Sequence, residues 1–394
     1  MIQQIVLSKN NLFFCFLLFG YVFGVILYDF LKFDYTDELM AFFLILFAGI
    51  TVWERKNYKE LYPLILIVCI FLFYLIYSFL IASNVPQAIL KDFVIQIKPF
   101  LGFYCTWLIA PTFTRKQKQI ISIICLIVGG ITLAVVLTGN MWNFFGHPSR
   151  LATSATITAL LFFYCSSFTW EDIIIFFILL CIGLLSTRSK FYGFWGITIF
   201  LMIYLKIGGK LYFNIKGFIC LLLLICLAVS LSWEKIVIYY IDGSINAHQM
   251  WSRPAMMLTA FYLLLDYFPF GCGLGSFGTF VSGEYYSSIY EKYGLDQLWG
   301  LSKNKPDFIS DAYYPELAQF GIIGVILYFT FWAWIIKISA RKRFINMKQF
   351  LFTLLISLFF LIEGVADATF THNRGLFILI LLGMVLPSKY ERKK

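Results

Sequence analysis

Charge is what this chain has least of. Asp, Glu, Lys and Arg together make up 13% of its 394 residues, against 61% hydrophobic residues. Soluble domains carry about a quarter charged residues and roughly half apolar ones, so this composition excludes an ordinary soluble domain. Cysteine pairs with metal-ligand spacing are also missing. Cys15, Cys69, Cys105, Cys125, Cys165, Cys181, Cys220 and Cys226 fall in apolar runs, and Cys272 stands alone. Such cysteines act as small apolar side chains, so neither a disulfide nor a zinc site is expected. A cleavable signal peptide is lacking too, because a full-length span takes its place and no small-residue cleavage site follows. The glycine-rich run Pro269–Gly278 has no Lys-Ser/Thr after it, which excludes a P-loop.

What fills the chain is hydrocarbon, with a mean hydropathy of +0.83. A membrane span needs about 20 apolar residues. Runs near that length lie at 12–31, 39–53, 61–82, 93–110, 119–138, 151–169, 173–187, 190–206, 216–232, 313–337, 349–366 and 373–387. The expected fold is therefore an all-α polytopic membrane protein of about twelve transmembrane helices. Residues 1–232 hold nine spans and residues 313–394 hold three with a C-terminal tail. Between them, 233–312 form one long loop with eight acids, five bases, one His and seventeen aromatics. A transporter core rarely needs so large an insertion; an enzyme acting on a lipid-linked substrate at the membrane surface does.

The net charge of +10 is explained by topology and not by nucleic acid. With a cytoplasmic N-terminus, 19 of the 31 bases fall on the inner side, as the positive-inside bias requires. Both termini are then cytoplasmic and the long loop is outside. The same orientation puts His147, His248 and His372 on the outer face, with Arg150, Arg188, Arg253 and Arg374. Charges beside hydrocarbon persist when paired or functional, and an arginine fork suits phosphate oxygens. Arg150 in Gly146-His-Pro-Ser-Arg150, Arg188 in Ser186-Thr-Arg-Ser-Lys190 and Arg253 in Trp251-Ser-Arg-Pro254 are candidate diphosphate ligands, or else interface anchors. Asp311 precedes the tenth span and reads either as a helix cap or as an acid with a task. Glu316 and Glu363 lie inside spans, where an acid is costly without a role. Asp367, His372 and Arg374 form a further polar cluster. Loop aromatics such as Trp251, Tyr262, Tyr285, Tyr286, Tyr290, Tyr293 and Trp299 belong to an interfacial belt or stack on sugars. Ala255–Tyr267 reads as an amphipathic helix lying on the membrane.

In order, these landmarks resemble the O-antigen polymerase and ligase superfamily, the Wzy and WaaL types. Ser310-Asp311, nine residues, then Gly321-Ile-Ile-Gly324 has the spacing of the family's signature. Leu185-Ser-Thr-Arg188-Ser resembles its Ser-Arg turn, and Ser252-Arg253 with Pro269-Phe-Gly271-Cys-Gly273-Leu-Gly275 resembles its arginine and glycine-loop motif. The resemblance covers residues 140–340. Where the ligases carry a catalytic histidine, this chain has Ser310 beside Asp311, which favours the polymerases. The resemblance implies a GT-C-like fold in the bacterial inner membrane. It implies an inverting transfer of polysaccharide from undecaprenyl pyrophosphate onto a new undecaprenyl-pyrophosphate-linked repeat unit at the periplasmic face. On that reading Arg188, Arg253 and Arg150 bind pyrophosphate, and Asp311 is the base with Glu316, His248 and His372 as reserves. No metal or other cofactor is expected, nucleic acid is no partner, and a chain-length regulator of the Wzz type is a further partner. The alternatives are an O-antigen ligase acting on lipid A-core, a lipid-linked oligosaccharide flippase or transporter, and a structural partner in an assembly complex.

Overall fold

The computed structural model describes residues 9–33, 35–208, 233, 237, 251–341, 343 and 346–386, and the described residues form helices and turns without a β-strand. Six segments are long and apolar enough to cross a membrane: Lys9–Ile26, Thr36–Arg55, Tyr58–Leu80, Arg115–Leu137, Ser189–Ile207 and Tyr313–Arg341. The first half runs α1 (Lys9–Tyr21), α2 (Tyr28–Leu31), α3 (Thr36–Arg55), α4 (Tyr62–Leu80), α5 (Pro86–Ile109), α6 (Arg115–Leu137) and α7 (Met141–Phe145). Then follow α8 (Pro148–Cys165), α9 (Trp170–Cys181), α10 (Ser189–Gly208), α11 (Ser252–Asp266), α12 (Phe280–Glu284) and α13 (Ser288–Lys292). The last helices are α14 (Tyr313–Glu316), α15 (Gly321–Arg341), α16 (Met347–Glu363) and α17 (Asn373–Val385). Every apolar run drawn from the sequence contains one of these, except 216–232, which lies outside the described residues. The short run at 39–53 is a full 20-residue helix in α3.

The interior helices differ from the outer ones for a physical reason. On α8 and α17 nearly every side chain is buried, so neither meets lipid and both can carry polar groups. Thr153, Thr156 and Thr158 return their hydroxyls to the carbonyls of Ser149, Ala152 and Ser154, each at 2.9 Å. Small residues bring α5 and α17 together. A Cβ on Gly383 would lie 2.6 Å from the Phe103 carbonyl oxygen, and one on Gly102 2.5 Å from the Leu376 side chain.

Polar contacts collect at the two ends of the bundle. At one end Lys9 meets Glu54 at 2.9 Å, and Arg55 donates to the Leu108 carbonyl at 3.0 Å. There Lys348 also donates to the Tyr164 carbonyl at 3.0 Å. The other end gathers residues 28–37, 147–150, 188–190, 310–311 and 363–374. This division follows the alternation expected of antiparallel helices. Between α4, α5 and α15 runs an apolar fissure of about 410 Å³, lined by Phe71, Phe100, Tyr104, Tyr328 and Trp334 among others, with Gln96 as a polar exception.

Residues 251–312 build a small core of their own, in which Met256 and Leu263 of α11 pack with Phe277, Tyr290, Leu301 and Ile309. The opposite side of α11 carries exposed Leu258, Phe261, Tyr262 and Leu265 at helical spacing. The glycine-rich run fastens this unit to the bundle and does not reach the cluster at the end. Tyr77, Ser83 and Asn84 donate to the carbonyls of Gly271, Leu274 and Gly275 at 2.9, 2.8 and 2.6 Å. In return the Gly275 N–H donates to Asp92 at 2.8 Å and the Ser276 N–H to Gln319 at 3.1 Å. Gly271, at φ 84°, lies against Gly321, and a Cβ on it would sit 2.2 Å from the Gly321 nitrogen. Two motifs fifty residues apart are thus two halves of one backbone contact.

Because both steric space and dihedral angle are closed to a side chain there, Gly271→Ala should cost about 2 kcal/mol or more. Gly130 on α6, where an added Cβ would meet nothing within 4 Å, is the control. Thermal unfolding of the two alanine variants in detergent should show a lowered midpoint for Gly271→Ala alone.

Candidate functional site

A cavity of about 240 Å³ opens at the end of the bundle that joins the 251–312 unit. Its wall includes Asp29 from α2, His147 and Arg150 from the start of α8, Phe280 from α12, Ser310 and Asp311, Asp367, and His372 and Arg374 at the start of α17. Arg188 and Arg253 stand directly behind the wall, touching His147 and Asp311. Segments far apart in sequence therefore converge on one opening, and they include most of the residues singled out from the sequence.

Asp311 is not a helix cap. The cap position of α14 is Ala312, and the Asp311 carboxylate turns to Arg253. Arg253 Nε donates to Asp311 Oδ2 at 3.0 Å, and Nη2 contacts the same oxygen. Burial pushes the Asp311 carboxyl above the usual carboxylate range, against the opposing pull of Arg253. The pair stays partly open, with side chains 33% and 22% exposed.

The other charges are tied more firmly. Asp29 bridges two guanidiniums, meeting Arg150 at 2.7 Å and Arg374 at 2.5 Å. Arg374 also donates to Ser154 at 2.9 Å. Lys190 lies between Glu363 at 2.8 Å and Asp367 at 3.1 Å, and Thr369 donates to both acids. Burial would raise the Asp367 carboxyl, but Lys190 holds it well below the usual range. Glu363, costly inside a span, is thereby accounted for as a counter-ion.

Arg188 is the exception. Its described partner is the Nε2 atom of His147, whose Nδ1 also lies 3.3 Å from the Ser149 N–H. Burial, and then Arg188 itself, pushes His147 down to about 4, so the ring is neutral at ordinary pH. A neutral imidazole accepts at one nitrogen only, so the two donors compete for it. Among the described residues no carboxylate pairs with Arg188. It is the cation of this cluster best placed to take an incoming anion.

Two expectations are revised. Glu316 is not at the cavity: its buried carboxylate accepts from Gln96 close to Asp92, under the glycine-rich run. Beyond Glu316 the helix tightens to a 3-10 turn over Leu317–Phe320 and departs from helical geometry at Gly321. Tyr290 and Tyr286 do not line the cavity: Tyr290 is buried beside Ser282, and half-buried Tyr286 donates to the Leu301 carbonyl. The aromatic rings in the cavity lining are Tyr28 and Phe280, the latter 60% exposed on a turn fixed by a Thr279–Ser282 capping box. His248 lies outside the described residues. Asp29 and Lys190 were missed as site residues, their only sequence signal being a lone acid and a lone lysine on the same side as the arginines.

Among the described residues no group of three or more His, Cys, Asp or Glu is arranged to hold a metal ion. No family model matches the chain, and no curated protein sequence matches it.

Removing Asp29 leaves Arg374, only 3% exposed, without its counter-ion. Asp29→Asn should therefore destabilise the protein by about 3 kcal/mol, the cost of an orphaned buried charge. Lys91→Ala, which breaks an exposed pair with Glu284, should cost under about 1 kcal/mol in the same thermal unfolding assay.

Proposed function

We propose that this protein is a surface-polysaccharide polymerase of the O-antigen type, a glycosyltransferase acting on polyprenyl-pyrophosphate-linked chains. The observation that carries the reading is the convergence of Arg150, Arg188 and Arg253 with Asp311 and His372 around one cavity at the end of an apolar helical bundle. On this reading the bundle has twelve spans in the bacterial inner membrane, with both termini cytoplasmic and residues 233–312 in the periplasm. The positive-inside bias supports that orientation.

The chemistry follows from the residues. The donor is a polysaccharide on undecaprenyl pyrophosphate, and the acceptor is a hydroxyl of a new lipid-linked repeat unit. The hydroxyl oxygen forms a bond to the anomeric carbon from the side opposite the leaving group, and its proton passes to Asp311. The bond from the anomeric carbon to pyrophosphate breaks, and the electron pair leaves on the lipid diphosphate. Fixed guanidiniums stabilise that charge without reorganising. Arg188, opposed by a neutral imidazole, and Arg253 are the first ligands; Arg150, tied to Asp29, is third. His372 opens into the cavity and is the second choice for base. Ser310 beside Asp311, in place of a histidine, favours a polymerase over a ligase.

Arg188→Ala and Arg253→Ala should each remove long polymer from a gel of surface polysaccharide while core bearing a single repeat remains. Lysine at either position should restore little, because a point charge cannot replace the fork. Retained long polymer in both alanine variants would overturn the assignment, and loss of all attached polymer would indicate a ligase.

Asp311 must be ionised to take a proton, and its carboxyl is raised by burial. Transfer in proteoliposomes should therefore fall on acidification with a midpoint above the roughly 3.9 of a free Asp side chain. Asp311→Asn should abolish elongation at unchanged protein level.

A further inference from the structure

The cavity's carboxylates are not equivalent. Asp29 is held by two guanidiniums, and Glu363 and Asp367 share Lys190 and the Thr369 hydroxyl. Asp311 has one cation, Arg253, and no hydroxyl or backbone N–H donates to it among the described residues. The contact is also one-sided. Both Arg253 nitrogens grip Oδ2, leaving Oδ1 outside the fork, where a bidentate pair would use both oxygens. Both side chains are partly exposed, and an ion pair open to solvent is held weakly.

The residue designated as clamp is therefore occupied by the residue designated as base. While Arg253 holds Asp311, the carboxylate's proton affinity is lowered and the guanidinium is spent. A diphosphate brings more charge and more oxygens than one carboxylate, so it competes well for a planar fork. We infer that Arg253 exchanges partners, leaving Asp311 for the donor's diphosphate, so that Asp311 becomes an effective base only once the donor is bound. This rests on the glycosyltransferase reading above and adds to it an order: donor first, acceptor activation second. It would keep a carboxylate from activating water or acceptor before there is a sugar to transfer.

The groups that face Asp311 fix the sign of its change. Arg253 faces it from α11 and Lys190 from α10, both favouring its ionised form, and Asp367 opposes them. His147 and Arg150 from α8, with Asp29, His372 and Arg374, line the same cavity. Withdrawing Arg253 and bringing in an anion both act in one direction, toward proton uptake by Asp311.

The test uses the full chain in lipid nanodiscs, with metal-free inorganic pyrophosphate as the probe. Calorimetric titrations in two mildly acidic buffers of different ionisation heat report protons taken up on binding. The wild type should take up protons. Asp311→Asn should bind pyrophosphate several-fold more tightly, because the Asp311 carboxylate no longer competes for Arg253, and should lose the Asp311 share of the uptake. Glu284→Gln, the same charge change on the exposed partner of Lys91, should match the wild type in both. Tighter binding by Asp311→Asn also shows that this variant is folded. Equal affinity and equal uptake in wild type and Asp311→Asn would overturn the exchange while leaving the diphosphate clamp standing. Absence of pyrophosphate binding by the wild type would overturn both.

Discussion

An ion at the edge of hydrocarbon has to be neutralised by a partner or be lost from the fold, and that constraint organises this molecule. Asp29 answers two arginines from two helices, and Lys190, at the start of α10, answers Glu363 at the end of α16 and Asp367 just beyond it. Each shared ion ties together the ends of separate helices. The cavity wall is thus held by charge as well as by packing. What remains after the pairing is a small excess of guanidinium, located at Arg188, whose neighbour is a neutral ring.

Glycine performs the complementary task. The end of the bundle must accept a sixty-residue insertion without losing the geometry of the cavity. The contact of Gly271 with Gly321 lets two backbones meet with no side chain between them. Asp92, Gln319 and Ser78 then satisfy the backbone groups of the same run. Asp311 enters the cavity from this unit, so its position is inherited from a contact some distance from any substrate.

Much of this was legible in the sequence, and the parts that were not share a cause. Helix positions could be read because hydrocarbon imposes a length on every apolar run, and Arg150, Arg188 and Arg253 could be singled out because each stands apart from the clusters of other bases. Gly271 and Gly321 could be flagged but not matched, since nothing local reports that two runs fifty residues apart will touch. Glu316 belongs with them: its depth in the tenth run could be read, but not that its buried carboxylate would meet Gln96 of α5. Asp29 passed unremarked near the end of the first apolar run. Its importance exists only in three dimensions, where two arginines approach it.

The stripe Leu258, Phe261, Tyr262 and Leu265 has its own consequence. A helix that is core on one side and greasy on the other floats at a fixed level in a lipid leaflet, much as a keel sets a waterline. Arg253 rides on that helix, one residue from its start. The position of the guanidinium therefore depends on both sides of the helix, so whatever covers the apolar stripe becomes a setting of the cavity itself.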